Sequence, residues 1–396
     1  MVKKKLYQLV LFSASRDQKD YFTKLKAKLS FTTVLLDYKQ LPKWWGWTGE
    51  TLSKEVELLL KKQVEILQVR KKNTVDGRKR GQFYWRLFRW WQMQRAKWIF
   101  YQAVKALVPY QSAFLGVWNG KKFRQAIWVE AAQYLDMKVV YFETGPLPGY
   151  SMVDAFGVDA FSGNPREKKF YQNYNCRLKE EALSEKIENR EKDFGKPKIL
   201  FVPFQVVEDS NIYLHSPWIH HMRQLFDWVE RLSDAYPNWV FWLKEHPACN
   251  ETYPDLHERI KSYNGKILFV NEMATTELVE KATAVMTINS TVGMEALQAG
   301  KQVLVLGEAL YAIEGLTQPI KTLEELIQQF EQLVLTPVDE ALIKNFICYL
   351  KQDYAVPGDA MKVTLDEKDT EHWRTMEKKL QWILSDQPKK AIGLND

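Results

Sequence analysis

Four stretches in the second half of the chain end an apolar run in residues that could do chemistry. The run Lys198–Val206 leads into VPFQVVEDSNI, with Gln205, Glu208, Asp209 and Asn211, and Trp239–Leu243 leads into Lys244, Glu245, His246 and Pro247. The run Ala284–Ile288 stops at Asn289, Ser290 and Thr291, and Gln302–Leu306 stops at Gly307 and Glu308. A helical pattern starts straight after Thr291. Free N–H groups, hydroxyls and the positive dipole end of a helix start suit a phosphate. Glu295, one turn further in, could reach ribose hydroxyls there. Each residue also has an ordinary explanation: Ser290 or Thr291 caps a helix whatever else it does, His246 precedes a proline as turn residues do, and Asp209 could open the turn after its strand. Their recurrence at successive strand ends is what argues for a site.

The first half supplies a matching set. VWNGKKFRQA puts Asn119 and Gly120 at a strand end, with Lys121, Lys122 and Arg124 behind them. VVYFETGPLPGYSMVDAFGVDAFSG ends a strand in Glu143, then enters a Gly- and Pro-rich loop holding Asp154 and Asp159. A buried strand ending in a carboxylate is a candidate acid/base group; the alternative is a solvated loop carboxylate. No Asp-X-Asp pair stands at a strand end, so the expected metal ligands number none and no cofactor is expected.

The elements that must position these residues are two strand–helix series. The first has apolar runs at Leu6–Phe12, Thr33–Leu36, Ala113–Trp118 and Lys138–Phe142; the second has the four runs above and Ile267–Val270. Short continuous apolar runs alternating with helices predict parallel sheets covered on both faces. The fold class is α/β, two doubly wound Rossmann-like domains facing a cleft, with ligands at the carboxyl ends of the strands. The charged stretch Lys179–Lys198 reads as the linker. It divides a 1–190 domain, carrying a basic aromatic helical insertion, from a 196–365 domain, with a final amphipathic helix in 366–396 packing back on the first.

The chain has 396 residues, 46% hydrophobic and 27% charged, a globular composition with room for two or three cores. Its three cysteines, Cys176, Cys249 and Cys348, have no paired spacing, so neither a disulfide framework nor a zinc site is expected, and a reduced cytoplasm is the expected compartment. No run approaches the roughly 20 apolar residues of a membrane span. Net charge is +7, which favours an anionic partner without naming it.

Taken together, the quoted motifs resemble the retaining β-Kdo transferases of the capsule synthesis family, which act on 3-deoxy-D-manno-octulosonic acid (Kdo). The resemblance spans Ala113 to Thr317 and rests on Asn119–Gly120, FETGPLP around Glu143, VPFQVVEDSNI, KEHP at Lys244–Pro247, and NSTVGMEALQAGKQVLVLGEALYAIEGLT, which includes Tyr311. It implies a GT-B architecture, a CMP-Kdo donor, a glycan or glycolipid acceptor and no metal. It further implies that His246, Ser290 and Thr291 bind the CMP phosphate, with Gln205, Lys244, Pro247, Asn289, Glu295, Gly307 and Tyr311 around the donor. Asp209 takes the role of nucleophile, Glu143 that of a second catalytic carboxylate, and Asn119, Gly120 and Arg124 contact acceptor or sugar. Between Glu208 and Asp209, strand alternation lets only one face the donor, and the resemblance selects Asp209.

The first hundred residues, with Trp44, Trp45 and Trp47 in KWWGW, do not follow the phosphatidylglycerol-primed capsule members. The segment Phe83–Leu107 can be drawn as a helix with Phe83, Leu87, Trp90, Trp91, Gln94, Trp98 and Tyr101 near one face. Arg78, Arg80, Arg86, Arg89 and Lys97 would make it an anionic inner-membrane contact; the competing reading is a core helix with a solvated basic side. Nucleic acid is not expected as a partner. Two other functions fit the same motifs: a GT-B transferase with another CMP- or nucleotide-activated donor, and a non-catalytic capsule-assembly scaffold.

Overall fold

The computed structural model describes residues 8–41, 52–178, 197–249, 251–361 and 370–385. The tryptophan cluster Trp44, Trp45 and Trp47 and most of the charged stretch (179–196) lie outside them. The described residues form two compact units. The first draws on 1–72, 79–164 and 353–396, the second on 73–78 and 165–352. The boundary after Asn164 and the return at Asp353 differ from the expected divisions at 190 and 365. Composition marks where charge accumulates; a unit is set by which residues pack together, and that includes the distant segment 73–78.

In the first unit the strands are β1 (Leu9–Ser13), β2 (Thr33–Asp37), β3 (Phe114–Trp118), β4 (Val139–Thr144) and β5 (Tyr150–Asp154). The second unit holds β6 (Lys198–Pro203), β7 (Trp239–Lys244), β8 (Ile267–Phe269), β9 (Ala284–Thr287), β10 (Gln302–Val305) and β11 (Gln318–Pro319), before the chain returns to the first with β12 (Val356–Pro357). The first sheet runs β12-β5-β4-β3-β1-β2, parallel from β2 to β4, with β5 and β12 antiparallel at the edge. The second runs β11-β10-β9-β6-β7-β8 and is parallel throughout.

Strand alternation explains the two covers of the first sheet. Val10 and Phe12 point to one face, against helices Lys54–Lys72, Gln82–Leu107 and Phe123–Tyr134, where the Phe12 and Trp128 rings stack at 3.8 Å. Leu9 and Leu11 point to the other, against Phe22 and Leu25 of helix Arg16–Lys28 and Met376 and Leu380 of helix Thr370–Leu384. With both faces apolar, the strands read as continuous hydrophobic runs, which is why they were visible in the sequence. The stretch read as a Gly- and Pro-rich loop after Glu143 instead contains β5. Its last residue, Asp154, is buried and accepts the N–H groups of Phe156, Gly157 and Gly163 and the Tyr354 hydroxyl.

Cys176 and Cys348 form a disulfide across 172 residues, joining the stretch after helix Lys168–Gln172 to helix Glu340–Tyr349 within the second unit. This corrects the expectation of unpaired cysteines. Their Cα atoms stand 5.8 Å apart because the two helices pack, which chain spacing does not report. The pairing also removes the premise on which the cytoplasmic expectation rested. Among the described residues no helix is long and apolar enough to cross a membrane.

Candidate functional site

In the second sheet the chain winds outward from its centre in both directions, β6 to β8 on one side and β9 to β11 on the other. The loops leaving β6 and β9 therefore turn to opposite faces and open a crevice at the carboxyl ends of these two strands. Gln205, 4% exposed, closes a polar node across that switch point. Its Nε2 donates to Asp209 Oδ2 and to Asn289 Oδ1, each at 3.0 Å, and its Oε1 accepts the Asn289 N–H at 3.2 Å. Asn289 Nδ2 donates to the Asn211 carbonyl at 3.1 Å. Two loops far apart in sequence are thus clamped by side-chain amides.

Asp209 caps helix Ser210–His215, its Oδ1 accepting the Asn211 N–H at 2.9 Å. Both carboxylate oxygens are held by donors, and each keeps a lone pair free for chemistry. The alternation argument against Glu208 does not apply, because β6 ends at Pro203 and both acids lie in a turn. Asp209 is distinguished instead by its bond to Gln205.

After β9, Thr287 Oγ1 accepts the Ser290 N–H and Ser290 Oγ accepts the Val292 N–H, each at 3.2 Å. Thr291 occupies the cap position of helix Val292–Gln298 and is exposed, with no side-chain bond to the helix. That helix has 7 residues, so its dipole is weaker than the sequence pattern suggested. Burial raises the Glu295 carboxyl above its ordinary range. Gly307 donates its N–H to the Ile288 carbonyl at 3.0 Å, and Glu308 N donates to the buried His215 carbonyl at 2.6 Å.

Two expected donor contacts act in the scaffold. Tyr311 is 1% exposed and its hydroxyl donates to the Ser290 carbonyl, so it holds the hydroxyl-rich turn from beneath. Gly293, not singled out in the sequence, makes this approach possible: a Cβ there would lie 2.4 Å from the Tyr311 hydroxyl. Lys244 Nζ donates to the carbonyls of Asn271 and Met273 at 2.6 and 2.7 Å, pinning the turn after β8. His246 and Pro247, by contrast, are exposed at the end of β7. The Ala248 N–H donates to His246 Nδ1 at 3.1 Å, which in the neutral ring leaves the proton on Nε2. The loop beyond is braced by buried Glu251, which accepts from Arg223 at 2.9 Å and from Arg78. Nothing in the spacing of these three residues announced that contact.

In the first unit, Asn119 and Gly120 follow β3 with φ of 63° and 75°. Gly120 tolerates that left-handed backbone and leaves room for the Tyr141 ring, 2.7 Å from where a Cβ would stand. The turn aims Asn119 at the end of β4: its Oδ1 accepts the Lys121 N–H at 3.0 Å and its Nδ2 donates to Glu143. The Thr144 N–H donates to the other Glu143 oxygen at 2.9 Å. Burial pushes the Glu143 carboxyl up, and the Asn119 and Thr144 donors offset part of that rise. Lys121 Nζ pairs with Asp159 at 2.8 Å. Arg124 is stacked on Tyr38, its guanidinium carbon 3.3 Å from the ring centroid. The packing gives Arg124 a local aromatic partner.

Residues 176–329 match the family model described as capsule polysaccharide biosynthesis protein. Protein FixF of Sinorhizobium fredii (strain NBRC 101917 / NGR234) is 34% identical over 251 residues, covering 61% of this chain and 60% of FixF. The capsule polysaccharide export protein KpsS of Escherichia coli is 34% identical over 152 residues, 37% of this chain and 38% of KpsS. The chain thus spans less than two thirds of the length of either relative. Among solved structures, Thermosulfurimonas dismutans KpsC, beta Kdo 2,7 transferase, aligns over 81% of this chain and 88% of its own, with 17% identity and a TM-score of 0.44. The matched segment contains the Gln205–Asp209–Asn289 node, His246, Ser290 and Thr291, whereas Glu143 and Asn119 lie before it. The likeness of this chain to the capsule polysaccharide biosynthesis protein model is thus carried by residues 176–329, the segment that holds this node.

Proposed function

We propose that the chain transfers Kdo from CMP-Kdo to a glycan or glycolipid acceptor, with retention of configuration. The observation that carries this reading is the Gln205-held pair of Asp209 and Asn289 at the switch point of a parallel sheet, inside the capsule-family segment. On this reading the CMP phosphate sits at His246, Ser290 and Thr291. Protonated Nε2 of His246 and the two hydroxyls are its donors, and Glu295 takes a ribose hydroxyl. The Asp209 carboxylate attacks the anomeric C2 of Kdo, the bond from C2 to the phosphate oxygen breaks, and CMP leaves with the electron pair. The acceptor hydroxyl then attacks C2 from the opposite side, the ester to Asp209 breaks, and Glu143 takes the hydroxyl proton. Two inversions give net retention.

Turnover without a metal is part of the proposal. Among the described residues no three His, Cys, Asp or Glu side chains are grouped so as to share an ion. CMP carries a single phosphate, which side-chain and backbone donors can neutralise. The test is CMP release from CMP-Kdo and Kdo transfer to a panel of Kdo-terminated and simple glycolipid acceptors, in EDTA. Transfer under these conditions is expected. No CMP release with any acceptor, or activity restored only by Mg²⁺, would count against the reading.

The phosphate subsite has its own expected result. His246→Ala and Ser290→Ala should each weaken CMP binding by about 1.5–3 kcal/mol, the worth of a charge-assisted hydrogen bond. Calorimetric titration of CMP into each variant measures this, and wild-type affinity in both would refute the assignment.

A further inference from the structure

Helix Gln82–Leu107 carries two apolar sides. Trp85, Ala96, Ile99 and Ala103 are buried in the first unit. Phe83, Leu87, Trp90 and Trp91 follow the spacing i, i+4, i+7, i+8 of a single helical face, and they are 80%, 55%, 60% and 55% exposed. Lone exposed apolar residues need no explanation, but a contiguous face of large ones marks an interaction site. Leu58 of helix Lys54–Lys72, 66% exposed, extends the face. Between the two helices runs a groove of about 590 Å³, lined by Leu58 and Trp90 together with Lys54, Lys61, Arg86 and Arg89 and one acid, Glu57, which pairs with Lys97.

Charge decides the partner. No Asp or Glu occurs between Asp76 and Glu130, and Lys79, Arg80, Arg86 and Arg89 of that stretch are exposed. The effective basic set is smaller than the sequence suggested. Arg78 is held by Glu251 and the Asn73 carbonyl, and Lys97 is paired with Glu57. Arg80 and Arg89 stay in the set, because their partners, the Tyr84 ring and Gln68 Oε1 at 3.1 Å from Arg89 Nε, carry no charge. We propose that this face docks the protein on an anionic lipid bilayer surface. The helix lies in the interface plane, with Phe83, Leu87, Trp90 and Trp91 among the headgroups and acyl boundary and Arg80, Arg86, Arg89 and Lys54 reaching lipid phosphates, while Lys61 pairs with Glu65 at 3.9 Å. A 26-residue helix with this many cations lies on a bilayer instead of crossing it. Single-stranded nucleic acid fits less well, because bases stack on ring faces and Leu58 and Leu87 interrupt the aromatic row. This inference stands apart from the sugar-transfer reading.

The test is flotation of the full chain with phosphatidylcholine vesicles, with and without phosphatidylglycerol, at low and raised salt. Binding to the anionic vesicles is expected to be at least ~10-fold tighter, and to weaken with salt because the charge attraction is screened over about 8–10 Å. Trp90→Glu/Trp91→Glu, which alters only exposed positions, should abolish it, and Arg80→Gln/Arg86→Gln/Arg89→Gln should remove the preference for anionic lipid. Equal recovery with both vesicles would overturn the proposal. So would unchanged binding by both variants, self-association through this face in place of lipid binding, or binding to an oligonucleotide but not to vesicles. If the tryptophan variant fails to fold, the lipid and salt dependence of the unaltered chain and the arginine variant still decide.

Discussion

Asp209→Asn is expected to lower Kdo transfer by on the order of 10³-fold or more, because a nucleophile is lost and no other group takes its place. CMP binding should persist, since Asp209 is proposed to touch the sugar and not the nucleotide. The change also has a structural cost that can be stated in advance. Asp209 offers an acceptor oxygen to the Asn211 N–H and another to Gln205 Nε2. Asparagine has one such oxygen, so one of these donors loses its partner, at about 1–3 kcal/mol. A lowered melting temperature with retained CMP affinity is therefore the expected signature, and Asp209→Ala serves as a second variant. The unaltered protein given CMP-Kdo without acceptor should accumulate a species heavier by one Kdo, mapped by peptide mass to Asp209 and absent from both variants. Near-normal transfer by Asp209→Ala, or an adduct on another peptide, would rule out the double displacement.

Glu143→Gln should slow transfer by about 10²–10⁴-fold, the usual worth of a positioned base, while the adduct on Asp209 still forms and lasts longer. The pH dependence follows from burial, which holds the Glu143 carboxyl above the ordinary glutamate range. A base must be deprotonated, so transfer should rise with pH through a value above that range. Asn119 donates to the charged form, so Asn119→Ala should move this limb to still higher pH, and Glu143→Gln should erase it. The stability effect has the opposite sense from the activity effect. A carboxyl raised in the folded state keeps its proton to higher pH than in the unfolded chain. The associated stability is full below the unfolded value and is lost as pH rises through the folded one. Glutamine is neutral throughout, so Glu143→Gln should melt no lower than the unaltered protein at neutral pH. A variant that loses both activity and stability there would mark Glu143 as a structural residue.

The nine strand runs read in the sequence all became strands within a few residues of their expected ends, because strands buried on both faces must be continuous in apolar residues. Helical spacing likewise put Phe83, Leu87, Trp90 and Trp91 on one exposed face, although Trp98, expected on the same face, packs against the core. Strand ends were legible too, since polar residues appear where the apolar run stops, and that is how Asp209, His246, Asn289 and Ser290 could be named. Tertiary structure alone decided what each of them does there. Lys244 at the end of β7 and Tyr311 in the turn after β10 lie beside the named site residues, yet carbonyls within reach engage both, and no local pattern encodes a partner 27 or 21 residues away. β5 was hidden because a short antiparallel strand in a Gly- and Pro-rich stretch lacks the long apolar run of the central parallel ones. The Cys176–Cys348 pairing, the unit boundary at Asn164 and the removal of Arg78 from the basic face share one cause. Each is a contact between segments distant in sequence, and such contacts are set by packing, which composition and periodicity do not carry.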